Sequence, residues 1–127
     1  MPQQVFTLHE EPMGAPRMTR RDVWKKRPCV VRYRAYADRL RLACRGIDKN
    51  AVGLSWTAWF SMPASWSKKK RAEMAGKVHR SKPDRDNIDK GVLDSLFESD
   101  QGVAFGHIGK FWDDGKGPRI ELVVTTE

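Results

Sequence analysis

Residues 52–62, VGLSWTAWFSM, alternate without a break: Val52, Leu54, Trp56, Ala58, Phe60 and Met62 share one face, Gly53, Ser55, Thr57, Trp59 and Ser61 the other. A period of two marks a strand with one face buried, and Pro63, which cannot donate to a ladder, ends it. Upstream, Tyr33, Ala37, Leu40 and Cys44 recur at helical spacing between about Cys29 and Arg45, with Gly46 as the stop. Arg32, Arg34, Arg39, Arg41 and Arg45 fall largely on the wet faces of that helix. Val5 to His9 alternates weakly and forms a first strand, closed by Glu10, Glu11 and Pro12, and PMGAPRMTRRDVWKKRP then reads as a basic loop.

Downstream of the strand, a short helix runs from Ser67 to about Ala75, and a second spans Asn87 to Phe97 with Ile88, Val92, Leu93 and Leu96 as its apolar stripe. Val103 to Trp112 and Arg119 to Thr126 read as a terminal hairpin around Asp113-Asp114-Gly115, whose aspartates serve the turn's own backbone. The order β, α, β, α, α, β, β predicts one small α/β domain over residues 1–127, a mixed four-stranded sheet with two to three packed helices.

Charge narrows the function. The chain carries 24 Lys+Arg against 16 Asp+Glu, a net charge of +8. Basic residues dominate up to residue 90, whereas residues 91–127 hold three Lys+Arg against seven acids, so a polyanion-binding surface belongs to the first two thirds. No apolar run approaches the roughly 20 residues needed to span a bilayer, and MPQQVFTLHEEP lacks a signal-peptide core, which points to the cytosol. Cys29 and Cys44 lack CxxC spacing and read as reduced thiols.

Within this cationic chain, KPDRDNIDKGVLDSLFESD at 82–100 gathers acids. Asp84 and Asp86 are two residues apart, so in an extended segment both carboxylates point one way and can hold one hard cation. Asp86, Lys90 and Asp94 follow at steps of four, a stripe that rotates only ~40° per step on a helix. Two carboxylates and an ammonium group in one place suit phosphodiester hydrolysis, which needs an activated water and charge neutralisation on the phosphate. The plainer reading has Asp84 and Asp86 capping the helix, accepting its orphan N–H bonds and complementing its dipole, and Lys90 pairing with Asp94 on the surface.

The run Lys82-Pro83-Asp84-x-Asp86-Asn87-x-x-Lys90-x-x-x-Asp94-x-Leu96, followed by Asp100-Gln101-x-Val103, resembles the signature of the RusA family of Holliday junction resolvases, small metal-dependent endonucleases often encoded by phages. Gly14-Ala15-Pro16-Arg17 in the basic loop and the ending from Asp113 to Val124 also resemble that family, so the similarity covers nearly the whole chain. It implies a RusA-like fold and endodeoxyribonuclease activity on four-way junctions and other branched DNA, in recombination and repair. It implies Mg²⁺ as cofactor, with Mn²⁺ as a substitute, held by Asp84, Asp86 and Asp100, with Lys90 as the essential lysine. In many members of that family the stretch between the lysine helix and the third aspartate is longer and ends in a double acid. Here Ser99 stands at the first of those positions, which makes Glu98 a competitor to Asp100.

Arg17, Arg20, Arg21, Lys25, Lys26 and Arg27, and the run Lys68, Lys69, Lys70 and Arg71, are candidate phosphate contacts, whereas most charge runs are merely solvated. Asn87 is either a phosphate contact or a helix cap. Trp24 and Trp66 sit in basic stretches and could stack on unpaired bases, while Trp56 shares the apolar face of its strand. His9, His79 and His107 have no ligand-like spacing. The two-fold symmetry of a junction calls for a C₂ homodimer with one acidic site per subunit. The rival reading is a non-catalytic phage DNA-binding or regulatory protein of the same fold.

Overall fold

The computed structural model describes residues 1–17 and 27–127. Its elements are β1 (Gln3–Leu8), α1 (Pro28–Ala43), β2 (Gly53–Phe60), α2 (Lys68–Met74), α3 (Arg85–Leu96), β3 (Ile108–Trp112) and β4 (Arg119–Thr125). They form one four-stranded mixed sheet in the order β1-β4-β2-β3. β4 pairs antiparallel with both β1 and β2, and β3 pairs parallel with β2.

The alternation of β2 sets the core. Leu54, Trp56, Ala58 and Phe60 are all buried, and they meet Ile120, Leu122 and Val124 of β4, Tyr36 and Leu40 of α1, and Ile88, Val92 and Leu96 of α3. Each such Leu, Ile or Val contributes roughly 1.5–3 kcal/mol by leaving water. The stripe read for α1 holds: Tyr33, Ala37, Leu40 and Cys44 are buried, while the five arginines of that stretch are exposed. α2 begins at the N-cap Ser67, whose hydroxyl accepts from the Lys70 amide at 3.1 Å. Cys29 and Cys44 are free thiols. Among the described residues, no helix is long and apolar enough to cross a membrane.

The terminal hairpin does not form. β2 lies between β3 and β4, and the connection between them crosses the end of β2, where the Asp113 amide donates to the Phe60 carbonyl at 2.8 Å. The reason is burial: a strand as apolar as β2 is most stable with partners on both edges, and α2 and α3 supply the long crossover that a parallel partner needs. Asp113 and Asp114 still serve the turn, Asp113 Oδ1 accepting from the Gly115 and Gly117 amides at 3.0 and 2.9 Å. Regular β3 also begins at Ile108 rather than Val103. Residues 104–107 run irregularly along the start of β2, bonded through Ala104 N to Val52 O and through Leu54 N and Trp56 N to the Phe105 and His107 carbonyls. Gly106 permits that approach, since a Cβ there would collide with the Leu54 carbonyl oxygen.

Candidate active site

The head of α3 is assembled from three directions. Asp84 is the N-cap, in extended conformation at φ −68° and ψ 147°, and its carbonyl accepts the first helical bond from Ile88 N at 3.2 Å. Its carboxylate makes no capping hydrogen bond. Asp86, in the first helical turn, accepts from the neighbouring Asn87 amide at 3.0 Å. The pair therefore straddles the start of the helix, so the strand-like alternation that would align both carboxylates does not apply. Both side chains are nevertheless exposed at the same helix end, where the dipole favours negative charge.

From the N-terminal side, the Ala15 amide donates to Asn87 O at 3.0 Å. Gly14 is needed there, because a Cβ would lie 2.9 Å from Pro83 Cβ and 3.2 Å from Asn87 Cβ. Arg17, two residues beyond Ala15, is exposed. Asn87 is the third helical residue and not the cap.

From the sheet side comes Lys110, a residue that sequence reasoning passed over. Its ammonium donates to the Ser81 and Pro83 carbonyls at 2.6 and 2.7 Å, immediately before Asp84 and across the cis Lys82–Pro83 peptide. Burial pushes its pKa down, and the charge of Asp84 opposes that shift. One signal existed in the sequence: Ile108, Lys110 and Trp112 share a strand face, so Lys110 is a lysine at an inward position, opposite buried Ala58.

Lys90 is exposed one turn beyond Asp86 and, among the described residues, pairs with neither Asp86 nor Asp94. Asp89 faces inward and accepts from Trp56 Nε1 at 2.9 Å. The two candidates for a third carboxylate lie elsewhere. Asp100 and Glu98 are exposed beyond the C-terminus of α3, whose 12 residues put about 18 Å between its ends. Among the described residues no three Asp, Glu, His or Cys side chains group tightly enough to hold a metal. One chain therefore offers two exposed aspartates at one helix end, hard-oxygen donors of the kind Mg²⁺ takes, which binds one or two carboxylates and retains waters.

Of the other candidates, Arg20, Arg21, Trp24, Lys25 and Lys26 lie outside the described residues. Arg27 Nη2 donates to Arg17 O at 2.9 Å. Lys68 and Lys69 are exposed, but Lys70 lies over the Trp66 ring at 4.4 Å, and Arg71 donates to the Trp66 and Pro63 carbonyls at 3.2 and 2.9 Å. Trp66 also packs in a T-shaped contact with Trp112, centroids 4.8 Å apart, so its ring is engaged by Lys70 and Trp112. His79 is buried between Phe60 and Trp112, and burial, then nearby Lys110, lowers its pKa.

No curated protein sequence matches the chain. The family model described as endodeoxyribonuclease RusA matches residues 11–125, a span that runs from the loop docked on the head of α3 through both aspartates to the end of β4. The chain belongs to the RusA family of endodeoxyribonucleases.

Proposed function

We propose that this chain is a Mg²⁺-dependent, homodimeric resolvase that cuts four-way DNA junctions by paired phosphodiester hydrolysis, acting in the cytoplasm. The observation that carries the reading is the head of α3: Asp84 and Asp86 exposed on a helix N-terminus, the Asp84 carboxylate unused in capping, in a protein of net charge +8. Asp84 and Asp86 would hold the metal. When bound, it supplies water activation and neutralises charge on the phosphoryl oxygens. Lys90, exposed one turn away, adds a fixed positive charge for the negative charge that develops in the transition state. Asn87, at the same helix end, and Arg17, in the segment that follows the Ala15 contact, orient the flanking phosphates. Attack by water gives 5′-phosphate and 3′-hydroxyl ends that a ligase can seal.

The length of α3 supports a further element of this reading. With the aspartate pair at the head of α3 and Asp100 in the loop beyond the other end of this helix of about 18 Å, the third carboxylate joins the site from the second subunit of a C₂ dimer. Two complete sites then exist per dimer, one for each strand to be cut. Incubation with a labelled immobile four-way junction and a linear duplex, each with Mg²⁺ or EDTA, tests the proposal. Paired nicks in the junction alone, abolished by EDTA, are expected. Binding without cleavage would favour the non-catalytic DNA-binding reading.

A further inference from the structure

The turn that presents Asp84 is unusually dependent on one side chain. Among the described residues, Ser81, Lys82 and Pro83 make no backbone–backbone hydrogen bond, and Pro83 has no N–H to give. Their neighbour His79 is fixed to the sheet, its amide donating to Lys110 O at 3.0 Å, and Ile88 N bonds Asp84 O four residues into the helix start. Between those two anchors the polar contacts that hold the chain are the Lys110 bonds to Ser81 O and Pro83 O at 2.6 and 2.7 Å. The same residue thus pins the segment twice, through its main chain at His79 and through its side chain at Ser81 and Pro83.

The sheet explains how a lysine can do this. Lys110 stands opposite Ala58 in the parallel ladder, and Ala58 is fully buried and small. An ammonium with three N–H groups can satisfy two carbonyls of a turn that has no ladder, here the exposed Ser81 carbonyl and the partly buried Pro83 carbonyl. An inward charge on an edge strand can also serve only to discourage edge pairing. That explanation does not fit here, because Val78 already bridges Phe111 and the Trp112 amide bonds Lys77 O along this edge.

We infer that Lys110 is a positioning residue for the metal site: through the Ser81 and Pro83 carbonyls it holds Asp84 in its extended N-cap conformation at the head of α3. The inference rests on the assignment of Asp84 as a metal ligand. It concerns geometry alone, since Lys110 need not touch DNA. Displacement of a reacting group by about 1 Å from a distant change can cost about 10²-fold in rate.

The experiment compares wild type, Lys110→Met, which keeps the stem but no donor, and Lys110→Arg, which keeps donors. Four quantities are read: thermal midpoint, junction affinity in EDTA, kcat with its Mg²⁺ half-saturation point, and Mn²⁺ binding by calorimetry without DNA. Lys110→Met should lower kcat about 10²-fold, raise the Mg²⁺ half-saturation point and weaken Mn²⁺ binding, with junction affinity within about two-fold of wild type; Lys110→Arg should recover most of both metal readouts. Wild-type metal binding and kcat in Lys110→Met would overturn the inference. So would a loss of rate matched by a loss of folded protein with unchanged Mn²⁺ affinity in the folded fraction. Should Lys110→Met fail to fold, Lys110→Gln, whose uncharged amide ends one bond short of the ammonium position, is read in the same calorimeter: weakened Mn²⁺ binding supports the inference, and wild-type Mn²⁺ binding overturns it. If wild type fails to cleave, the resolvase reading falls, while the Mn²⁺ titrations still judge Lys110.

Discussion

The two ends of α3 are built differently. At its head, Asp84, Asp86 and Asn87 are held by contacts from β3 and the N-terminal loop, and the acidic side chains remain exposed. At its tail, basic groups close the helix: Arg41 Nη1 donates to Ser95 O at 3.2 Å and Lys49 Nζ to Leu96 O at 2.6 Å, complementing the negative end of the dipole. Glu98 and Asp100 follow on an exposed loop. A motif that looks continuous in sequence is thus split into an organised half-site and a detached acid, and a dimer would reunite them.

The sharpest way to break that contrast is complementation. Asp84→Asn and Asp100→Asn should each lower cleavage at least ~10²-fold, the scale of a missing electrostatic partner, while junction binding stays within a few fold. Mixing the two inactive proteins should restore nicking. In a heterodimer with sites shared between subunits, one site loses both acids and the other keeps all of them. If every site were built within one chain, each would lack one acid and the mixture would stay inactive. Glu98→Gln should cleave like wild type; the reverse pattern at 98 and 100 would move the third acid by two positions.

Lys90 separates chemistry from surface pairing at the head. Lys90→Ala should lose turnover by ~10²-fold, with a change in folding stability under ~0.5 kcal/mol, the usual scale for an exposed charge. Lys90→Arg should rescue poorly, because a planar fork does not replace a compact ammonium. Normal cleavage by Lys90→Ala, measured on the junction, would reduce the residue to a solvated charge.

Much of this was legible in the chain. β2 declared itself because its period of two reflects burial on one face, and the stripes of α1 and α3 did so for the same reason. The terminal hairpin was misread because turn chemistry at Asp113-Asp114-Gly115 is local, whereas the choice of which strand edge to occupy depends on how much of β2 remains uncovered. The separation of Asp100 from Asp84 was implicit in the length of the helix between them, but identity at fixed spacing along a sequence says nothing about distance in space. Lys110 was hidden because a lone lysine in a strand ordinarily reads as solvated, and only its inward register distinguishes it.

The head can be loosened without touching an acid. Gly14→Ala places a methyl group 2.9 Å from Pro83 Cβ and 3.2 Å from Asn87 Cβ, so either the loop or the start of α3 must shift. Overpacking of this kind costs about 1–3 kcal/mol, readable by urea unfolding, and the rate should fall with it. A corresponding change at the tail, Gly102→Ala, meets only Ala51 O at 3.9 Å and should leave stability and rate unchanged. Equal effects at both positions would mean that the head is no more tightly organised than the tail.

The smallest effect concerns the basic run of α2, which also divides in two. Lys68 and Lys69 point into solvent, whereas Lys70 covers Trp66 and Arg71 is bound to two backbone carbonyls. On duplex DNA, every phosphate that a side chain neutralises adds about 0.9 to the salt slope of log K. Lys68→Ala with Lys69→Ala should therefore flatten the slope and weaken junction and duplex binding alike, while leaving the thermal midpoint in place. Arg71→Ala should do the opposite, lowering the midpoint because the Pro63 and Trp66 carbonyls lose their donor, with little change in slope. An unchanged slope in the double variant would show that α2 is a solvated face, and the DNA track would then run through Arg17 and the loop that follows it.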